Sequence, residues 1–445
     1  MQKKHKKLYI EIIMLLIFLI TFVTMIVCNI QLQNKKDSFI KKSYSIPVGI
    51  FPGNKAAIDD KGNIYVATGM LGVVQKFNKN GDFIKSILIK DDIDMIKNER
   101  DGIHVYAGKF DYTDYHITEK KIIEKEKPDV VHLQCLNNYF VNIYKLVEWL
   151  KKKHIPTILT LHAEFMYTGG CGHSIDCNQW STREGCGHSS CPRYRSELKS
   201  LFGDRSGYMW NRMKVAFEGF DDTLIVASVS PWLMERASRS PILEGKHHCV
   251  VYNGLNTDVF KYYDTADLRK KHHCENRKVV FHATPAFSAD LNHLKGGYYV
   301  IELAKRMPDV CFIVAGRVMG EFDVPSNMVL LGKLDSQETL AQYYSMADLT
   351  ILTSKRETFS MVCAESLCCG TPVVGFRAGG PEQIALSAYS SFCEFGRIDD
   401  IVKLVWEIEK KQFDKDIIAD VARKQYSTEK MVKQYLKIYH EVASV

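Results

Sequence analysis

ADLTILTSKRETFSMVCAESLCCGTPVVGFRAGGPE, residues 347–382, decides how the chain is read. A short apolar run (349–352) leads into a polar turn (353–358), an amphipathic piece (360–369), Gly370 as a stop, and a second apolar run (372–376). That order is strand, loop, helix, left-handed cap, strand, the repeating unit of a parallel sheet with crossover helices. Two carboxylates frame it: Glu357 in the loop and Glu365 on the second turn of the helix. At ~1.5 Å of rise per residue, Glu365 falls roughly 7 Å along the axis from a cap near Ser360, with the free N–H groups of the first turn between the two acids. A helix N-terminus attracts phosphate, and carboxylates accept hydrogen bonds from sugar hydroxyls. The arrangement therefore suits a ligand with a sugar at each end and phosphate in the middle, the shape of a nucleotide-sugar.

Glu357 and Glu365, seven residues between them, are followed by CCGTPVVGFRAGGPE, with Gly370-Thr371-Pro372 and Gly379-Gly380-Pro381-Glu382 in register. This resembles the donor site of the retaining glycosyltransferases of family 4, which have the α/β GT-B fold of two Rossmann-like domains facing a cleft. The resemblance implies that Glu357 holds the transferred hexose and Glu365 the ribose. It also implies that Thr358, Phe359, Ser360, Met361, Gly379 and Gly380 line a site for a UDP- or GDP-sugar, that catalysis needs no cofactor, and that the acceptor is a glycan or lipid-linked sugar in polysaccharide biosynthesis.

At 445 residues the chain can hold two or three domains and bury a large core. Its hydrophobic content of 46% and charged content of 25% are those of an ordinary globular protein. The net charge of +7 is mild and its Lys residues are scattered, so there is no nucleic-acid footprint; a membrane surface is the better partner for the Lys residues near the N-terminus. Thirteen cysteines is an odd number, and Cys363, Cys368 and Cys369 sit inside the 360–369 helix. Both facts argue against a fully disulfide-bonded framework and for a reducing compartment.

Residues 12–30, with Ile12 first and Ile30 last, carry no charge and are long enough for a spanning helix of ~20 residues. Four Lys precede the run (Lys3, Lys4, Lys6, Lys7) and four follow it (Lys35, Lys36, Lys41, Lys42), so the flanking charge leaves its orientation open. No small-x-small cleavage site follows, which separates it from a signal peptide. Substrate supply places the half after residue 101 in the cytosol, behind a single-pass anchor in the inner or plasma membrane. Residues 48–90 alternate apolar strands (64–67, 73–77, 83–89) with Asp-Lys-Gly-Asn and Asn-Lys-Asn-Gly-Asp turns, the pattern of β-hairpins. The stretch resembles one blade of an NHL-type β-propeller, without a second copy in the chain. Such repeats need roughly three units to bury their faces, so it is expected to be a remnant or fused piece.

A βαβ rhythm then begins. GIHVYAGKF (102–110) reads as a strand, 118–127 as a charged helix, 128–133 as a buried strand, 142–153 as a helix and 156–161 as another strand. KPDVVHLQ and IPTILTLHAEF resemble the acceptor-side domain of the same family. Nothing before Gly102 supplies the strand and Gly-rich loop that would open such a domain, so about one βαβ unit of ~30 residues is missing and the blade-like piece stands in its place. His162 ends an apolar strand, where open α/β sheets place ligands, and the resemblance puts a His there facing the donor sugar. CGHSIDCNQWSTREGCGHSSC follows, with Cys171, Cys177, Cys186 and Cys191 at spacings of five, eight and four. Structural zinc on four thiolates, loose thiols and disulfides are all open; related sugar transferases of capsule and exopolysaccharide clusters have a similar Cys-rich insertion and a Trp, here Trp180.

Strands are expected at 224–230, 278–283, 311–315 and 329–331, with helices at 296–306 and 336–345 and two more at the end, 416–442. Lys295 precedes Gly296-Gly297 at a helix start, where an ammonium and free N–H groups can share one diphosphate. By resemblance, Lys295 and the helix at Ser360 stabilise the leaving diphosphate, which helps to deprotonate the incoming hydroxyl on the same face. The expected organisation is anchor and linker (1–47), blade-like segment (48–95), incomplete acceptor-side domain (101–255, insertion 171–191), donor domain (256–427) and a C-terminal helix (428–445). The missing first strand supports an alternative, a membrane-anchored chimera that binds nucleotide-sugar and transfers nothing.

Overall fold

The computed structural model describes the backbone of residues 54–58, 64–68, 73–77 and 83–88, and then residues 123–124, 127–136, 142–195, 197 and 203–444. The apolar run 12–30, the expected strand at 102–110 and most of the expected helix at 118–127 lie outside them. Among the described residues, no helix is long and apolar enough to cross a membrane.

The chain builds two sheets. The first has the order β4-β3-β2-β1-β5-β6-β7-β8. Its strands are β1 (Asn54–Ile58), β2 (Ile64–Thr68), β3 (Val73–Phe77), β4 (Phe83–Leu88), β5 (Val131–Gln134), β6 (Thr157–Leu161), β7 (Leu224–Ser228) and β8 (His247–Val250). β5 to β8 are parallel. β6 (TILTL) and β7 (LIVAS) are buried along their whole length, as a parallel sheet covered on both faces requires. The blade-like segment is a four-stranded antiparallel meander, one strand more than expected, because residues 54–58 also pair. β1 then lies antiparallel to β5 through Ala57 and Val131, so the segment extends the parallel sheet in place of standing apart from it.

Helices in this half are α1 (Ile143–Lys152), α2 (Ser206–Phe217) and α3 (Pro231–Ser238). Asn142 caps α1 by accepting from the Lys145 N–H, and Ile143, Leu146, Val147 and Leu150 form its buried stripe. α3 starts with Pro231 at its first position behind a Ser230 cap.

The second sheet is wholly parallel, in the order β11-β10-β9-β12-β13-β14. After α4 (Ala266–Lys271) it runs through β9 (Val279–Ser288), α5 (Gly297–Arg306), β10 (Cys311–Met319), β11 (Met328–Gly332), α6 (Gln337–Met346), β12 (Leu349–Leu352), α7 (Met361–Cys368), β13 (Val373–Phe376), the short α8 (Pro381–Ile384), β14 (Ser390–Cys393) and α9 (Ile398–Glu409). β9 continues five residues past its expected end because β10 stays paired with it as far as Met319 and Ser288. The ladder shifts register around Gly316, where a Cβ would lie 2.2 Å from the Thr284 carbonyl oxygen. Gly370 takes the left-handed φ of +78° expected of a helix stop.

The chain passes between the two sheets twice, and the passages touch. Leu255 bridges Ser427, with the Leu255 N–H donating to the Tyr426 carbonyl and the Thr428 N–H to the Leu255 carbonyl. After α10 (Lys415–Tyr426), the last helix α11 (Thr428–Ala443) returns to the first sheet, where Ile438 and Val442 pack with Ile158, Ile225, Ala227 and Val251.

Candidate functional site

β12 and β13 end side by side, and the two loops that leave them are tied together. The Glu357 N–H donates to the Ala378 carbonyl at 3.0 Å, and the Gly380 N–H donates to the Glu357 carbonyl at 2.9 Å. Glu382, at the start of α8, accepts from the Ala378 and Gly379 N–H groups at 2.9–3.0 Å and so fixes the second loop from behind. A Cβ on Gly380 would stand 2.3 Å from the Thr358 carbonyl oxygen, which is why this approach needs glycine.

A third loop closes on these two. The Lys355 N–H donates to the Leu294 carbonyl at 2.8 Å, and the Thr353 hydroxyl to the Lys295 carbonyl at 3.2 Å. Gly296, at φ +68°, has the Thr353 carbonyl oxygen 2.0 Å from where a Cβ would be. Backbone packing thus brings Lys295 to Glu357, and the Lys295 Nζ donates to Glu357 Oε1 at 2.7 Å with both side chains partly open to solvent. The expected diphosphate ligand and the expected hexose ligand meet directly.

Beyond Glu357 the chain turns into α7. Ser360 adopts φ +76°, a conformation L-residues avoid, and its hydroxyl caps the Cys363 N–H at 3.3 Å. The first-turn N–H groups of Met361 and Val362 have no acceptor within the helix and remain for a ligand. Glu365, half-buried on the next turn, accepts from the Tyr344 hydroxyl at 2.9 Å. Burial pushes its carboxyl up to about 7, with the Tyr344 hydrogen bond opposing the shift. Phe359 is 2% exposed and packs against Tyr252, so it offers a ligand its backbone and not its ring.

Thr358 joins the two sheets. Its hydroxyl donates to the His162 carbonyl at 2.8 Å, and its carbonyl accepts from the Ser230 hydroxyl. His162 therefore sits beside the Glu357 loop, as expected of a strand-end residue, with its Nε2 3.1 Å from Gln134 Oε1. Burial lowers its pKa to about 4, so the ring is neutral near pH 7. Lys295, Glu357, Thr358, Ser360, Gly379, Gly380 and His162 thus belong to one locality.

For the Cys-rich segment, zinc, loose thiols and disulfides are the alternatives left open by the sequence. Among the described residues, no group of three or more His, Cys, Asp or Glu side chains is arranged to hold a metal. Cys171, Cys186 and Cys191 are buried thiols and Cys177 is half-buried; burial pushes Cys171 and Cys186 up to about 12. The Cys186 sulfur instead accepts from the Gly169 N–H at 3.2 Å. Packing holds the segment: Trp180 is 1% exposed, faces Tyr167 edge-on at 5.2 Å and lies under the Arg236 guanidinium at 4.5 Å.

At its centre is an ion pair that the sequence reading missed. Glu164 is fully buried and accepts from the Ser174 N–H (2.6 Å), the Ser174 hydroxyl (3.0 Å), the Tyr167 hydroxyl (3.1 Å) and Arg236 Nε (2.7 Å). Its only sequence signal is the acid that follows His162 and Ala163, since Arg236 is 72 positions away. The segment reaches the donor-side loop as well, where Arg356 donates to the Ile175 carbonyl at 3.0 Å and Lys355 pairs with Asp176 at 3.4 Å.

Residues 264–425 match the family described as Glycosyl transferases group 1. N-acetyl-alpha-D-glucosaminyl L-malate synthase of Bacillus anthracis is 25% identical over 242 residues, which cover 50% of this chain and 61% of that protein. D-inositol 3-phosphate glycosyltransferase of Mycobacterium sp. (strain KMS) is 32% identical over 144 residues, covering 29% of this chain and 32% of that protein. The chain thus spans less than two thirds of the length of either relative. Among solved structures, HepE of Anabaena in complex with UDP aligns with a TM-score of 0.51 at 18% identity, covering 73% of this chain and 82% of that one. The two α/β halves, one on the mixed first sheet and one on the wholly parallel second, share the fold of that structure, and the stretch that resembles the group 1 glycosyl transferases lies in the second.

Proposed function

We propose that the protein moves a hexose-type sugar from a UDP- or GDP-sugar to a hydroxyl of a glycan or lipid-linked acceptor, with retention of anomeric configuration. The observation that carries this reading is the Lys295–Glu357 pair beside the open first turn of α7. Glu365 would take the ribose hydroxyls. The diphosphate would lie on the Met361 and Val362 N–H groups, drawing Lys295 from Glu357 and freeing that carboxylate for the hexose. The bond from the anomeric carbon to the phosphate oxygen breaks as the acceptor oxygen arrives on the same face, and the acceptor proton passes to the departing diphosphate. Lys295 and the helix N-terminus stabilise the charge that develops there. The relatives named as a glucosaminyl malate synthase and an inositol 3-phosphate glycosyltransferase, and the neighbour in complex with UDP, support sugar transfer from a nucleotide carrier.

Residues 12–30 would anchor the enzyme in the membrane, with the catalytic half on the cytosolic side where nucleotide-sugars are made. An impermeant thiol reagent applied to intact cells should leave Cys177 unlabelled; labelling from outside would overturn that placement.

A second reading is favoured by β1 lying against β5: an antiparallel meander occupies that flank of the first sheet, where an acceptor-binding unit of the family would continue. The protein would then bind nucleotide-sugar without transferring it. Radiolabelled UDP-glucose and GDP-mannose, incubated with and without membrane-extracted lipid-linked acceptors, separate the two. Acceptor-dependent transfer supports the enzyme; nucleotide-sugar binding with neither transfer nor hydrolysis supports the second reading.

A further inference from the structure

The segment 172–176 belongs to the Cys-rich loop of the first domain, yet it lies along the donor loop and is pinned at both ends. On one side the Glu164 N–H donates to the Gly172 carbonyl at 2.9 Å, and Ser174 donates to the Glu164 carboxylate through its N–H and its hydroxyl. On the other, Arg356 holds the Ile175 carbonyl at 3.0 Å and Lys355 pairs with Asp176. Lys355 and Arg356 are the two residues before Glu357. Between the pins stands His173, whose Nδ1 is buried without a hydrogen-bond partner. Glu164 first, and then Glu357 and Lys295, are among the charged groups that act on its ring.

An orphaned ring nitrogen costs free energy unless something else satisfies it, and here the backbone on either side is fixed, with residues 175 and 176 held against the two residues that precede Glu357. We propose that His173 is a specificity-determining residue that hydrogen-bonds a hydroxyl of the transferred sugar opposite Glu357. The reading rests on the donor assignment of Glu357 and deepens it: the Cys-rich loop forms the lid wall of the sugar pocket and leaves the nucleotide to α7. A ring held at both neighbouring positions discriminates sugars by hydroxyl placement, because a sugar without a hydroxyl at that point leaves the nitrogen unpaired.

The test uses the full chain and calorimetric titration with UDP, UDP-glucose, UDP-galactose, UDP-N-acetylglucosamine, GDP and GDP-mannose. His173→Ala should weaken the preferred nucleotide-sugar about tenfold or more while the matching nucleoside diphosphate changes less than about twofold, the scale of one buried hydrogen bond. His173→Asn, whose side-chain amide can replace Nδ1, should recover most of the loss. Equal affinity of wild type and His173→Ala for the nucleotide-sugar overturns the inference alone, as does an equal loss for sugar and diphosphate in both variants, which signals a disturbed loop. A wild-type chain that binds none of these ligands overturns the donor reading and the inference with it.

Discussion

Glu365 carries a pH dependence into nucleotide binding. Its carboxyl, raised to about 7 by burial, is only half ionised at neutral pH, whereas sugar hydroxyls donate best to the ionised form. Nucleotide binding should therefore release protons near pH 7, and affinity should fall toward about tenfold per pH unit below that point. Glu365→Gln should flatten the profile and weaken UDP binding by ~1–3 kcal/mol, measured by calorimetry from pH 5.5 to 8.5. A profile unchanged by the substitution removes Glu365 from the ribose. The two acids were legible from their spacing around one helix start. The contact of Lys295 with Glu357 was not, because it depends on a loop packing 62 positions away, and neither was the Glu164–Arg236 pair, whose partners lie on separate elements.

The strand–loop–helix–strand unit was legible because its elements have distinct periods and Gly370 supplies the stop. Ends differed by about a residue where a cap decides: Ser360 and Asn142 are caps and not first helical residues. α2 was not read at all. Its buried side, Ser206, Trp210, Met213 and Phe217, is masked by Tyr208 and Val215, large apolar residues that face solvent. The second loop of the site is held from behind by one side chain, since Glu382 accepts from the Ala378 and Gly379 N–H groups. Glu382→Ala should cost ~1–3 kcal/mol in denaturant unfolding, with donor affinity falling alongside as the Gly379-Gly380 turn loosens against Thr358. Stability and UDP affinity both matching wild type would show that the turn holds without the carboxylate.

At the scale of the molecule, the first domain is completed by the last helix, which returns to it past the crossing at Leu255 and Ser427. His132, on β5, is buried with Nδ1 at 2.8 Å from the Tyr439 hydroxyl and Nε2 at 2.7 Å from the Thr160 hydroxyl, which also meets Tyr435. Burial, reinforced by His162, lowers His132 to about 3; burial lowers His162 and chiefly accounts for His282, both to about 4. All three are depressed below the ordinary value of 6.5, so between that value and their folded values the unfolded chain binds more protons. Stability should be full above pH 6.5 and fall as pH drops toward 4, seen as a declining melting temperature in acid. Tyr439→Phe isolates the contribution of the last helix. It removes one hydroxyl and no volume that matters, but leaves the His132 nitrogen buried and unpaired, so unfolding of the first domain should become easier by ~1–3 kcal/mol. UDP affinity should change little, because α7 and Glu365 lie in the other sheet's domain. Trp180 and Trp210, both 1% exposed in the first domain, report its unfolding by fluorescence once Trp406 on α9 is replaced by Phe in both proteins compared. If Tyr439→Phe leaves that transition in place, the Tyr439 hydroxyl contributes nothing to the joining of the two halves, and α11 holds the domain by its apolar face and the Tyr435–Thr160 hydrogen bond.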